Sequence, residues 1–119
     1  MAEFWLPFPG MDTALSAVSE HIRTATASSN PIIREALSDL FAQQGKMLRP
    51  GMLILASQAG NPDMKRIYPL AAAIEILHTA TLIHDDVIDD SPMRRGLPSV
   101  HVRFGKKDAV LIGDFLLSR

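Results

Sequence analysis

Cysteine is absent from this 119-residue sequence, which excludes both a disulfide framework and thiolate metal ligation. Net charge is almost absent too. Twelve basic residues face 13 acidic ones, for a balance of −1, so the broad positive field that nucleic-acid binding depends on is missing. Aromatics are few, with one Trp, one Tyr and five Phe against a hydrophobic content of 47%. That balance points to aliphatic helix packing rather than sheet. No segment alternates apolar and polar residues with the period of two that marks a half-buried strand, and no internal repeat occurs. Residues Met1 to Gly10 lack the basic start and long apolar core of a signal peptide. The apolar run from Leu70 to Ile83 is interrupted by Glu75 and His78 and is too short to span a bilayer. A cytoplasmic protein with no membrane span and no nucleic-acid partner is expected, built as one small domain that buries about two-thirds of its unfolded surface.

What is present reads as helices separated by turn signals. Phe4-Trp5-Leu6-Pro7-Phe8-Pro9 is too rich in proline for a regular helix, so residues 1–11 are expected to form an irregular tail. Its aromatics either dock on a neighbour or stay loose. Asp12 is placed to cap a helix reaching about Ala27. Asn30-Pro31 reads as N-cap and first helical position of a second helix, with Ile33, Leu37, Leu40 and Phe41 at helical spacing and Gly45 as its end. A third helix is expected from Pro50 to Ala59, stopping at Gly60-Asn61-Pro62. A fourth runs from about Met64 to Asp89, with Pro69 starting or kinking its regular part. Ser91 to Pro98 reads as a loop, Ser99 to Phe104 as a short helical turn, and a last helix starts near Asp108. The fold class is therefore all-α, an antiparallel helix bundle.

The densest chemistry lies where the fourth helix ends. His84-Asp85-Asp86-Val87-Ile88-Asp89-Asp90 puts four carboxylates within six residues, and Arg94-Arg95-Gly96 follows. Asp85 and Asp89 share a helix face one turn apart. Such charge opposes the helix dipole at its C-terminus and repels itself at i, i+4. A bound cation relieves both, and oxygen-only ligands suit Mg²⁺, with Mn²⁺ as the alternative. The arginines offer planar donors for phosphate oxygens. The ordinary reading of an acidic run is a solvated helix end, and these residues alone leave both readings open. A calcium-binding EF-hand loop is excluded, because Val87 and Asp90 stand where it requires an acid or amide and a glycine.

Gly45-Lys46-Met47-Leu48-Arg49-Pro50 forms a second, basic patch. Lys46 and Arg49, at i, i+3, share a face if the segment is helical. Cations at a helix N-terminus are tolerable when an anion joins them there.

Taken together, Gly45-Lys46-x-x-Arg49-Pro50, Glu75-x-x-His78, His84-Asp85-Asp86-x-x-Asp89, Arg94-Arg95-Gly96, Pro98-x-x-His101 and Gly113-Asp114-Phe115-Leu116-Leu117 resemble the trans-isoprenyl diphosphate synthases in order and spacing. The resemblance covers roughly residues 12 to 119. Terpene cyclases share the aspartate motif, but not Lys46-x-x-Arg49 with Arg94-Arg95. The resemblance implies the N-terminal half of the isoprenoid synthase fold, residues 1–119 being part of a single domain. It implies transfer of an allylic diphosphate's prenyl group to isopentenyl diphosphate, assisted by Mg²⁺. Asp85 and Asp89 then correspond to metal ligands, with Asp86 supporting them. Arg94 corresponds to a contact to the allylic diphosphate. Lys46, Arg49, His78 and Arg95 correspond to the isopentenyl diphosphate site. His84, His101 and Asp114 are expected to be structural, Asp90 to cap the helix or face solvent, and Glu75 to orient His78 or pair with a cation.

The family also carries a second aspartate-rich motif, a lysine-threonine element and a phenylalanine-glutamine element, none of which occurs here. The chain is therefore expected to be one part of a longer or split enzyme, inactive alone and completed by a second copy or a complementary C-terminal chain. A non-catalytic regulatory subunit is the competing reading, set against the retention of every motif residue. Product length is expected to depend on Leu77, Ala80 and Thr81, which precede Asp85 on the same helix. Ala80 is small and none of the three is aromatic, which implies a medium-to-long product.

Overall fold

The computed structural model describes residues 2–42 and 45–119. Among these residues seven helices and a minimal hairpin follow in order: α1 (Ala2–Trp5), α2 (Met11–Ala25), α3 (Pro31–Ala42), α4 (Leu48–Ser57), α5 (Met64–Ile88), β1 (Met93–Arg94), β2 (Leu97–Pro98), α6 (Val100–Phe104) and α7 (Lys106–Leu117). The all-α class is as expected. The chain divides into two compact units, Met1–Ala25 with Gln44–Glu75, and Thr26–Gln43 with Ile76–Arg119, and α5 runs from the first into the second.

In the first unit, α2 buries Met11, Ala14, Leu15, Val18 and Ile22, the i, i+3, i+4, i+7 stripe of an amphipathic helix. Full burial of a side chain such as Leu15 or Ile22 stabilises by about 1.5–3 kcal/mol. Its start differs slightly from expectation. Gly10, at φ 77, turns the chain into the helix, and its carbonyl accepts the N–H of Ala14. Asp12 lies inside the first turn, where a carboxylate still favours the dipole. The expected irregular tail contains α1, and Trp5 is buried at 3% exposure. Its indole ring lies on Gly51 of α4, so close that a Cβ there would overlap ring carbons. The expectation rested on Pro7 and Pro9, which follow α1 and do not interrupt it. Helix α4 begins two residues before expectation, with Pro50 inside its first turn. Asp63 caps α5: its carboxylate accepts the N–H of Lys65 at 3.1 Å, and its carbonyl accepts those of Arg66 and Ile67. Pro69 is tolerated within α5 on an exposed stretch, where solvent can serve the carbonyl its missing N–H leaves over.

In the second unit, Asn30 caps α3 as expected, its Oδ1 accepting the N–H groups of Ile32 and Ile33 at 2.9 and 3.4 Å. The expected extension of α3 to Gly45 covers Gln43 and Gln44, which lie outside the described residues. The core takes Ala36 and Leu37 from α3, Ile76, Ala80 and Ile83 from α5, Val100 from α6, and Ala109, Ile112 and Leu116 from α7. Arg103 of α6 holds Asp39 at 2.6 Å and Glu35 at 3.3 Å, one turn apart on α3. The acids are largely exposed, so each bridge contributes about 0–1 kcal/mol.

Two expectations are corrected here. Ser91 to Pro98 is not all loop: Met93 pairs with Pro98 and Arg94 with Leu97. Both connecting residues, Arg95 and Gly96, have positive φ of 52 and 81, as a two-residue hairpin turn demands. The other concerns the apolar run, which continues past Leu70–Ile83. Among the described residues α5, at 25 residues, is long and apolar enough to cross a membrane, a test that core helices also pass.

His84 packs on Gly113 of α7 so tightly that a Cβ at 113 would overlap the imidazole. Gly→Ala inside a helix ordinarily stabilises by about 0.5–1 kcal/mol. Gly113→Ala is expected to reverse that sign and destabilise by about 1–3 kcal/mol through overpacking, read from the urea midpoint.

Candidate functional site

The aspartate-rich end of α5 is shaped by the way the helix stops. Asp90 adopts the left-handed conformation at φ 52. The N–H of Ser91 reaches back to the carbonyl of Asp86 at 3.0 Å, and that of Asp90 to Val87 at 3.3 Å. This is a Schellman termination with aspartate in the usual glycine position, and Asp tolerates it better than most residues. The Asp90 carboxylate faces solvent, within 3.6 Å of Lys106 and 3.9 Å of His101. It caps the helix and faces solvent at once, as expected.

Beyond the cap, the carbonyl of Ser91 accepts two hydrogen bonds at 2.7 Å, from the Ser99 hydroxyl and from Nε2–H of buried His101. That clamp fixes the start of the hairpin, and the hairpin returns Arg94 to the helix. Arg94 donates Nε–H to Asp86 at 3.0 Å and an Nη2 hydrogen to the other Asp86 oxygen at 2.6 Å. Asp86 is 5% exposed. Its hydrogen bonds raise the Arg94 pKa above its ordinary value, burial opposes this, and the charges of Asp86 and Asp85 add to it. Arg94 therefore stays cationic throughout the working pH range.

The three motif aspartates thus divide. Asp86 is committed to Arg94. Asp85 and Asp89 are exposed on one face and make no ion pair among the described residues. Among the described residues no group of three or more His, Asp or Glu side chains could hold a metal. The chain's own donor set is this pair of carboxylates. Two carboxylates completed by water and phosphate oxygens match the way Mg²⁺ is ordinarily bound, so the residues present fit the implied metal. Arg94 differs from expectation in being tied to Asp86. Two of its five N–H groups are taken, which leaves three for an anion.

Below the aspartates, His78 is half-buried on the Asp85 face, and its carbonyl accepts the Thr81 hydroxyl at 2.7 Å. Leu77 is exposed at 53% and Thr81 is exposed as well. Ala80 is 0% exposed. At about 100° per residue it stands about 140° round the helix from Asp85, so it faces the core of its unit and not the space below the carboxylates. His84 packs on Gly113 of α7. Its Nε2 lies 3.1 Å from the Val110 carbonyl and 3.3 Å from Asp114.

The basic patch belongs to the first unit and is built separately. Met47 is buried and left-handed, at φ 53. It sets Lys46 in the loop and Arg49 in the first turn of α4, both exposed and neither in an ion pair among the described residues. Trp5 braces this loop through a hydrogen bond from Nε1–H to the Lys46 carbonyl. Sequence reasoning missed Trp5. The one available signal was that the chain's single tryptophan lies beside Phe4 and Phe8.

The second unit thus presents an exposed carboxylate pair beside an arginine with spare donors, and the first unit presents Lys46 and Arg49, which make no ion pair among the described residues. A profile of the polyprenyl synthetase family matches residues 30–119, and the chain belongs to that family. It is 44% identical over 99 residues to a geranylgeranyl diphosphate synthase of Saccharolobus solfataricus, covering 83% of this chain and 30% of that one. The crystal structure of geranylgeranyl pyrophosphate synthase from Lactobacillus brevis superimposes with a TM-score of 0.92 at 39% identity, over 99% of this chain and 37% of that one. That of a polyprenyl synthase from Caulobacter crescentus, complexed with calcium and isoprenyl diphosphate, gives 0.84 at 40% identity, over 90% of this chain and 33% of that one. The fold is that of the all-α isoprenoid synthases. The chain spans about a third of the length of these relatives.

Removing Arg94 strands a buried carboxylate. Arg94→Ala is expected to destabilise by about 2–3 kcal/mol in urea unfolding. Arg94→Lys should recover less than half of that, because a point charge cannot make two parallel bonds. A double-mutant cycle with Asp86→Ala should give a coupling of about 1–3 kcal/mol. Additive effects would show that the pair is not formed in solution.

Proposed function

We propose that this chain is the N-terminal part of a single-domain polyprenyl diphosphate synthase that joins isopentenyl diphosphate to an allylic diphosphate. The observation that carries the reading is the division of the aspartates: Asp85 and Asp89 exposed one turn apart, Asp86 buried and locked by Arg94.

Asp85 and Asp89 would hold Mg²⁺, or Mn²⁺, together with the allylic diphosphate. Held there, the cation would supply Lewis-acid neutralisation of the charge that develops on a leaving diphosphate. Asp86 and Arg94 keep the end of α5 rigid, and the free N–H groups of Arg94 meet the same diphosphate. Lys46 and Arg49 in the first unit, and His78 and Arg95 in the second, are the residues whose motifs correspond to isopentenyl diphosphate contacts. Support for these substrates comes from the chemistry of the donor sets and from the isoprenyl diphosphate and calcium named for the Caulobacter crescentus protein.

The proposal includes a medium-to-long product. The exposed face below Asp85 carries Leu77 and Thr81, neither large enough to close a path for the growing tail. It further includes a cytoplasmic site of action, where both water-soluble diphosphates would be met. It also includes completion of the site by further sequence, from a complementary C-terminal chain or within a homodimer. Among the described residues sixteen large hydrophobic side chains are exposed, including Leu70, Leu77 and Ile88 of α5 and Leu111 and Leu117 of α7. Apolar surface of that extent ordinarily lies in an interface.

Radiolabelled isopentenyl diphosphate, an allylic acceptor and Mg²⁺ should yield no elongated product with the 119-residue chain alone. Product is expected from a chimera in which this chain replaces the aligned residues of the Saccharolobus solfataricus enzyme. Asp85→Asn in that chimera should lower turnover at least 100-fold, and Thr81→Phe should shorten the product. A folded but inactive chimera would sink the enzymatic reading, and turnover by the chain alone would sink the need for completion.

A further inference from the structure

We propose that Trp5, with Phe4, is a positioning element for the Lys46–Arg49 loop and sets its affinity for a diphosphate. The inference rests on Lys46 and Arg49 being the diphosphate-binding cations of the proposed function.

Trp5 grips the loop at both ends. Its Nε1–H donates to the carbonyl of Lys46, a group that lies ahead of the α4 ladder and takes no part in it, since the first bond there runs from the N–H of Gly51 to Met47. Its ring lies on Gly51, four residues further on, where there is no room for a side chain. Between those points stand Met47, held in the left-handed region at φ 53, and Arg49. The indole is itself held on edge by Phe4 and Phe8, at ring-centroid distances of 4.8 and 5.4 Å.

Phe4 acts on the charge directly, because the Lys46 ammonium sits 5.2 Å from its ring centroid. A lysine side chain loses much rotamer freedom when it is fixed on a ligand. A cation–π contact that already restricts the ammonium reduces that loss. The aromatic pair thus constrains both the backbone and the side chain of Lys46, which a packing role alone would not require.

Titration calorimetry with inorganic pyrophosphate tests this on the 119-residue chain. Mg²⁺ is omitted so that Asp85 and Asp89 cannot recruit the anion. Trp5→Phe keeps a ring but loses the N–H donor, and is expected to weaken binding about three- to tenfold. Phe4→Leu should weaken it about two- to fivefold, with an unchanged far-UV spectrum and thermal midpoint. Trp5 is the chain's single tryptophan, so its emission should also shift saturably with pyrophosphate in the unsubstituted protein and not in Lys46→Ala. If Lys46→Ala abolishes binding while Trp5→Phe and Phe4→Leu retain full affinity and the emission is silent, the brace is overturned and the diphosphate site stands. If pyrophosphate does not bind, or binds equally well to Lys46→Ala, the loop is not a diphosphate site and the brace falls with it. Should Trp5→Phe not fold, Phe4→Leu and the emission titration decide.

Discussion

Asp86 and Arg94 form the contact on which the aspartate end of α5 depends. A carboxylate 5% exposed near a helix C-terminus is unfavourable twice over: burial penalises its charge, and the helix dipole repels it. Two hydrogen bonds from one guanidinium offset both. To deliver that guanidinium the chain must turn sharply after Ile88, which accounts for the left-handed Asp90, the clamp on the Ser91 carbonyl and the two-residue turn at Arg95-Gly96. Each of these features has a local cost, and the pair gives them a common reason.

The same contact separates what is structural from what is chemical. With Asp86 neutralised from within, the charge left over resides on Asp85 and Asp89, which face solvent one turn apart. Neither makes an ion pair among the described residues, whereas Arg103, Arg94 and Lys106 pair with other acids there. Lys106 pairs with Asp90, Arg103 with Glu35 and Asp39, and Arg94 with Asp86. Carboxylates that stand outside these pairings, one turn apart and exposed, are suited to an external cation.

The first unit handles positive charge in a parallel way. Lys46 and Arg49 have no carboxylate partner among the described residues, and Lys46 rests on an aromatic face. An aromatic ring steadies an ammonium without neutralising it, so the charge stays available to an anion. The buried Trp5, the left-handed Met47 and the side-chain-free Gly51 hold that arrangement.

Much of this was legible in the linear chain. Helix periods, the Asn30-Pro31 start, the Gly60-Asn61-Pro62 break and the pairing of Asp85 with Asp89 follow from rules acting over one or two turns, and those rules are local. The family resemblance was legible for the same reason, since its motifs are short and ordered along the sequence. Other features depended on residues distant in the chain. Trp5 reads as part of an irregular tail until Gly51, 46 positions later, leaves space for its ring. Asp86 and Arg94 read as metal support and ligand contact until the hairpin returns one to the other. Ala80 reads as lining the space below the aspartates until the packing of α5 turns it inward. By itself the sequence determined the longer helices, the Asn30 cap and the stock of charged groups, because backbone hydrogen bonding and side-chain spacing act between neighbours. Which charges are matched and which remain for a ligand was decided only by the tertiary structure, because burial and pairing are properties of what the fold brings together.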